Sequence, residues 1–116
     1  MVSVLPVGKE SVVLIRTQGK TFLIDTGPDA SVLRALGTVL PPWERQLDAV
    51  LLTSTKKASI GGLSAIFERY TVSQQIPLTA SRRLIIAPDT FIDIVLTQNA
   101  LAGVYFSNSA TTTRIR

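Results

Sequence analysis

The stretch that most constrains this chain is Leu47–Leu63, LDAVLLTSTKKASIGGL. It reads as a buried strand, a polar loop and a glycine pair opening a helix. The run Ala49-Val50-Leu51-Leu52 is continuously apolar, as in a central strand covered on both faces. The loop that leaves such a strand is where α/β proteins often place their chemistry, because the strand is rigid and a helix start faces the loop. Here the loop is Thr53-Ser54-Thr55-Lys56-Lys57-Ala58-Ser59, which has no histidine, cysteine or carboxylate. Gly61 and Gly62 suit either close helix–strand packing or the approach of a helix N-terminus to a ligand.

Several function classes are closed by composition. The 116 residues contain neither cysteine nor histidine, so disulfides, thiolate chemistry, Cys/His zinc sites and imidazole acid–base catalysis are out of reach. The eight acids, Glu10, Asp25, Asp29, Glu44, Asp48, Glu68, Asp89 and Asp93, show no metal-loop spacing, and no cofactor is expected. Apolar residues make up 46% and charged residues 17%, the composition of a globular domain. No apolar run approaches the roughly 18 residues of a membrane-spanning helix, and MVSVLPVGKE is not a signal peptide. The formal charge of +4 gives a weak pull towards anionic partners, but the basic residues are scattered, with Lys56-Lys57 and Arg82-Arg83 as the tightest pairs.

Before the organising stretch, residues 2–7, 11–17 and 20–25 are short, rich in β-branched and apolar residues, and separated by turn residues, which predicts an antiparallel meander. After Pro28 the period changes: Val32, Leu33, Leu36, Val39 and Leu40 predict a helix starting at Pro28 or Asp29. Pro41-Pro42 stops it, and Trp43 is expected to pack against its end. Leu63, Ile66, Phe67 and Tyr70 predict a second helix. Strands follow over 71–76, 83–87, 90–96 and 101–107, broken at Pro77, Pro88-Asp89 and Gln98-Asn99, and 108–116 reads as an edge strand or a tail. The order is β-β-β-α-β-α-β-β-β-β, an α/β (mixed α+β) arrangement with helices on one side of a mixed sheet and one domain over 1–116.

These residues resemble a metallo-β-lactamase fold domain, and more narrowly the C-terminal domain of ComEC-type competence proteins, which carry DNA strands across a membrane. The likeness runs through VxxLxVGxxxxVLIRTxGKTxLIDTGPD at 2–29, Pro-Pro-Trp-Glu-Arg-Gln-Leu-Asp at 41–48, and Leu51-Leu52-Thr53 followed by Ile60-Gly61-Gly62-Leu63. A weaker likeness covers 83–116, including Asn99 before a further strand. The resemblance implies a two-sheet sandwich, shortened between Val72 and Arg83 and again at the C-terminus. Active members carry His-x-His-x-Asp-His before the Ile-Gly-Gly and hold divalent metals there. Those positions fall on Ser54, Lys56, Ala58 and Ser59, so the resemblance implies a pseudoenzyme that has lost its metal site. A shortened sandwich leaves a face or edge to cover, which predicts a homo-oligomer or another protein chain as partner. Single-stranded DNA is the second partner class, with Lys56 and Lys57 as its phosphate contacts.

Asp25-Thr26-Gly27 supports a rival from another class. It resembles the Asp-Thr-Gly of retroviral-type aspartic proteases, homodimers in which each chain gives one aspartate to a dyad. The chain shows no convincing glycine-rich flap for that enzyme. In the lactamase-like reading, Asp25 is instead a structural aspartate at a strand end, accepting hydrogen bonds from backbone amides of the Thr53–Ser59 loop. Gly61 and Gly62 keep the frame in the same reading, and a purely structural oligomerisation module stands as a third.

Overall fold

The computed structural model describes residues 2–17, 19–53, 56–77, 82–87, 90–97, 100–107 and 112–114. They form two compact units, Met1–Pro77 and Leu78–Arg116. In the first, the strands are β1 (Val2–Val7), β2 (Glu10–Thr17), β3 (Lys20–Ile24), β4 (Gln46–Leu52) and β5 (Thr71–Pro77). They make one sheet in the order β1-β2-β3-β4-β5. The first three are antiparallel, as tight turns dictate, whereas β3–β4 and β4–β5 are parallel. Parallel neighbours need crossovers, and these carry the helices: α1 (Ser31–Gly37) between β3 and β4, then the one-turn α2 (Lys57–Ile60) and α3 (Leu63–Arg69) between β4 and β5. Because the strands add in chain order, two crossovers of the usual right hand put α1 and α3 on the same face.

That face is the main core. Register sets Leu14 beside Leu23 and Leu23 beside Val50. Val32 and Leu36 of α1, Ile66 of α3, and Leu40 and Tyr70 pack in one cluster with them. The alternate positions are buried as well: Val13, Ile15, Ile24 and Leu51 have no exposed surface. This is why β2 and β4 lack a polar parity in their middles. Burial of each such side chain contributes about 1.5–3 kcal/mol.

The second unit is an antiparallel sheet, β6 (Arg82–Ala87), β7 (Thr90–Thr97), β8 (Ala100–Ser107) and β9 (Thr112–Arg114), in that order. The alternation read in β7 is present, with Ile92 and Ile94 buried while Val95 is exposed. β9 is an edge strand, paired antiparallel with β8. No helix among the described residues is long and apolar enough to cross a membrane.

As its apolar run predicts, β4 is an interior strand, bonded to β3 and β5 and buried over Ala49–Leu52, with β3 in the middle of the five. Several expectations are corrected. β3 ends at Ile24, because Asp25 has a φ of 65° and leaves extended geometry. Helix α1 starts at Ser31, because the Asp29 carboxylate accepts the Ser31 backbone N–H at 2.9 Å and closes a local turn first. The loop after β4 contains the helical turn α2. Trp43 does not pack on the helix end: it is 80% exposed at the tip of a four-residue turn closed by the Glu44 N–H on the Pro41 carbonyl, 3.0 Å. Pro88, Asp89, Gln98 and Asn99 lie outside the described residues.

Candidate functional site

The site is built where β3 and β4 end side by side. The Asp25 backbone N–H donates to the Leu51 carbonyl at 2.8 Å, which continues the β3–β4 ladder by one step. Its left-handed backbone, tolerated by Asp better than by most residues, turns the carboxylate onto the start of the next loop. There Oδ1 accepts the Thr53 N–H at 2.9 Å and Oδ2 accepts the Thr53 hydroxyl at 2.7 Å. The side chain is buried, 1% exposed. An ionised carboxylate in such a place needs these donors to offset its lost hydration.

Thr26 makes the second clamp. Its N–H and its hydroxyl both donate to the Ser59 carbonyl, at 2.8 and 3.0 Å. The hydroxyl also accepts the Gly62 N–H at 3.1 Å, an amide shared with the Gly27 carbonyl at 3.0 Å. Thr26 is fully buried, and its N–H and hydroxyl are both matched within this network.

The glycines make this approach possible. A Cβ on Gly61 would overlap the Pro28 carbonyl oxygen. One on Gly62 would lie 2.5 Å from the Asp29 carbonyl and 2.6 Å from the Thr26 carbonyl. Gly27 has φ +76°, and a Cβ there would meet Val7 Cγ1 at 2.7 Å. Asp25-Thr26-Gly27-Pro28-Asp29 and Ile60-Gly61-Gly62 therefore lie backbone to backbone.

Among the residues singled out from sequence, Asp25, Thr26, Gly27, Ser59, Gly61 and Gly62 come together here. Lys56 and Lys57 are exposed, at and just inside the start of α2, and Ser59 is half-buried. Ala58 belongs to α2. Ser54 lies outside the described residues, as does Thr55. The Thr53 amide bond to Asp25 falls within the expected Thr53–Ser59 loop, whereas the bond from the Thr53 hydroxyl was missed. Its signal was a hydroxyl residue directly after the apolar run of β4, where a buried strand-end carboxylate needs a donor.

The donor set does not fit the metal centre of the fold's active members. There is no imidazole or thiolate in the chain. Both Asp25 oxygens are bonded to Thr53, and Asp29 is bonded to Ser31. Among the described residues no three of His, Cys, Asp or Glu are grouped so as to hold an ion. Lys56 and Lys57 place positive charge on the same loop.

No protein-family model and no curated protein matches the sequence. Solved structures do resemble it. The Rm3 metallo-β-lactamase is 12% identical with a TM-score of 0.67, over 96% of this chain and 56% of its own. Zn2+-bound PqqB from Methylobacterium extorquens is 12% identical with a TM-score of 0.61, over 90% and 47%. A metallo-β-lactamase from Pontibacter korlensis is 14% identical with a TM-score of 0.59, over 90% and 60%. The chain thus spans about half the length of these proteins. At such identities the likeness carries the fold alone, which is a mixed α/β, partial metallo-β-lactamase-like fold.

Proposed function

We propose that this chain is a catalytically inactive metallo-β-lactamase-like domain, related to the competence DNA-uptake proteins it resembles, and that it acts in binding or assembly. One observation carries the reading. The loop after β4 is clamped onto Asp25-Thr26-Gly27 as a finished frame, yet its described side chains are hydroxyls and ammonium groups. A frame held by internal hydrogen bonds needs no ion to order it, and its one buried carboxylate is already used.

The aspartic protease reading draws no support from this arrangement. A dyad needs an Asp open towards its two-fold mate, whereas Asp25 is buried with both oxygens bonded inside its own chain.

Metal analysis and zinc titration test the proposal. The purified protein is expected to contain no stoichiometric zinc, manganese or iron. Its unfolding midpoint should not move with added zinc, which would raise stability in proportion to RT ln(1 + [L]/Kd) if a folded site existed. Stoichiometric metal with β-lactam or phosphodiester hydrolysis would sink it. The nucleic-acid arm rests on Lys56 and Lys57, both exposed. If they contact single-stranded DNA, binding should fall with salt at a log–log slope of about −1.4 for two phosphates. Lys56→Glu/Lys57→Glu should then abolish it, and absence of binding at low salt leaves assembly as the role.

A further inference from the structure

The five-stranded sheet is open along the outer side of β1, since no strand among the described residues lies beyond it. The hairpin to β2 fixes which backbone groups face outwards. Val7 and Glu10 flank the turn Gly8-Lys9, with Gly8 at φ +64°, and residues flanking such a turn exchange both of their hydrogen bonds. Bonded positions then recur at every second residue, at Leu5 and Ser3. Val2, Val4 and Pro6 therefore turn their backbone groups to the open edge. Pro6 agrees with this count, because a proline is tolerated in a strand where its nitrogen faces away from the ladder. The edge thus offers the N–H groups of Val2 and Val4 and the carbonyls of Val2, Val4 and Pro6.

Both flanks of this edge are apolar. Val2 and Val4 share one parity and are 38% and 56% exposed. On the other parity Leu5 and Val7 join the core cluster with α1. Beside them runs a groove of about 270 Å³ between the end of β1 and a stripe of α1 formed by Ser31, Arg34, Ala35 and Thr38. That volume is below the roughly 300–1,000 Å³ of small-molecule pockets and suits single side chains. The groove's hydroxyls are engaged already, Ser31 with Asp29 and Thr38 with the Ala35 carbonyl. The Arg34 guanidinium is exposed and makes no ion pair among the described residues, so its charge is left for a ligand.

We infer that β1 is a docking edge for an extended peptide segment of another protein, apolar and acidic, which adds to the sheet as a further strand. Backbone donors and acceptors presented at every second residue match an extended peptide, not a nucleic acid or a small anion. Side chains of a strand alternate between its faces. On the α1 face, one apolar residue of the peptide enters the groove and the residue two positions along gives a carboxylate to Arg34. On the other face, the residue between them covers Val4. A second copy of β1 fits less well, because VSVLPV carries no acid for Arg34 and Pro6 withholds a donor. The inference rests on the binding role proposed above and gives it a surface and a ligand class. The two fail separately, because metal content and hydrolysis decide the loss of metal chemistry and neither involves β1.

Random heptapeptides displayed on phage and selected on the immobilised protein supply the probe. Enriched sequences should share an apolar residue followed two positions later by Asp or Glu. A synthetic copy of an enriched peptide, titrated into isotope-labelled protein, should shift the Val2 and Val4 amide resonances and slow their hydrogen exchange. Arg34→Glu should weaken binding at least about tenfold and, in a repeated selection, replace the acid by Lys or Arg. Val4→Pro, folded by circular dichroism, removes an outward donor as Pro6 already does and should weaken binding similarly. N-methylation of the peptide reads the same bonds without altering the protein: methyl groups at one set of alternate amides should abolish binding, and at the other set leave it. An enriched pattern without the acid, unmoved Val2 and Val4 amides, undiminished binding to Arg34→Glu, or equal tolerance of every N-methyl position overturns the inference. So does protection of the Val2 and Val4 amides that grows with protein concentration alone, which assigns the edge to a second copy.

Discussion

At the end where β3 and β4 finish, Asp25, Thr26, Thr53 and Gly62 spend their polar groups on one another. At the end where β4 begins, Trp43, Arg45 and Lys20 stand in solvent, and the Arg16–Glu44 pair borders an open cleft. In this fold the first of these ends would ordinarily carry the metal. Here it is closed by hydrogen bonds and by backbone contacts too tight for a side chain, so changes there should act on stability. The second end is exposed and braced, so changes there should leave stability nearly unchanged. The two ends thus separate buried, hydrogen-bonded groups from exposed ones, and substitutions can break that separation.

The largest effect is expected at Gly61. Ala at this position forces a methyl group into the Pro28 carbonyl, and backbone cannot yield as a flexible side chain can. The cost should be about 3 kcal/mol or more, or failure to fold. Gly37 is the control, since a Cβ there meets nothing within 4 Å. Gly37→Ala should be neutral or stabilising by up to about 1 kcal/mol. Urea unfolding of both variants reads the difference, and equal costs would mean that the two loops are not interlocked.

Asp25 comes next. Asp25→Ala removes both acceptors of Thr53 and leaves a non-glycine residue at φ 65°, for an expected loss of about 2–4 kcal/mol. Asn accepts the left-handed backbone and keeps one acceptor oxygen, so Asp25→Asn should cost about half as much. A loss below about 0.5 kcal/mol for Asp25→Ala would show that the carboxylate is not a structural clamp. At the other end, Trp43→Ala should change stability by no more than about 0.5 kcal/mol, because the side chain is exposed. A larger loss would erase the distinction between the ends.

What could be read from the sequence follows from the range of each interaction. Val12–Ile15 and Ala49–Leu52 announced strands buried on both parities, since hydrophobic periodicity is local. The alternation of Ile92 and Ile94 with Asp93 and Val95 announced β7 for the same reason. Element ends were less legible, because single side chains decide them: Asp29 delays α1 by capturing the Ser31 amide, and Asp25 ends β3 by its φ. In the site, Asp25-Thr26-Gly27 and Gly61-Gly62 stood out as motifs. The pairing of Asp25 with Thr53 spans 28 positions and leaves no periodic trace, so its amide half was legible only through the family resemblance and its hydroxyl half not at all. Trp43 was misplaced because hydrophobicity favours burial without saying which side of a turn a residue occupies. A proline-braced turn can hold an indole outwards against that preference.

The smallest expected effect tests whether the closed end stays saturated at its solvent-exposed rim. Asp29 is exposed there, and its carboxylate accepts both the hydroxyl and the backbone N–H of Ser31. These bonds hold its titration below the ordinary aspartate range, with the hydroxyl first in importance, while the charge of Lys57 contributes least. Its folded midpoint lies below its unfolded one, so its contribution to stability is present above the unfolded midpoint and is lost as the pH falls through the folded one. Solvent screening keeps that contribution small, so the midpoint is the better readout. In a carboxyl-detected titration, Ser31→Ala should raise the Asp29 midpoint more than Lys57→Ala does. If Lys57→Ala moves it further, charge rather than hydrogen bonding governs the rim, and the contrast between the two ends holds only for the buried groups.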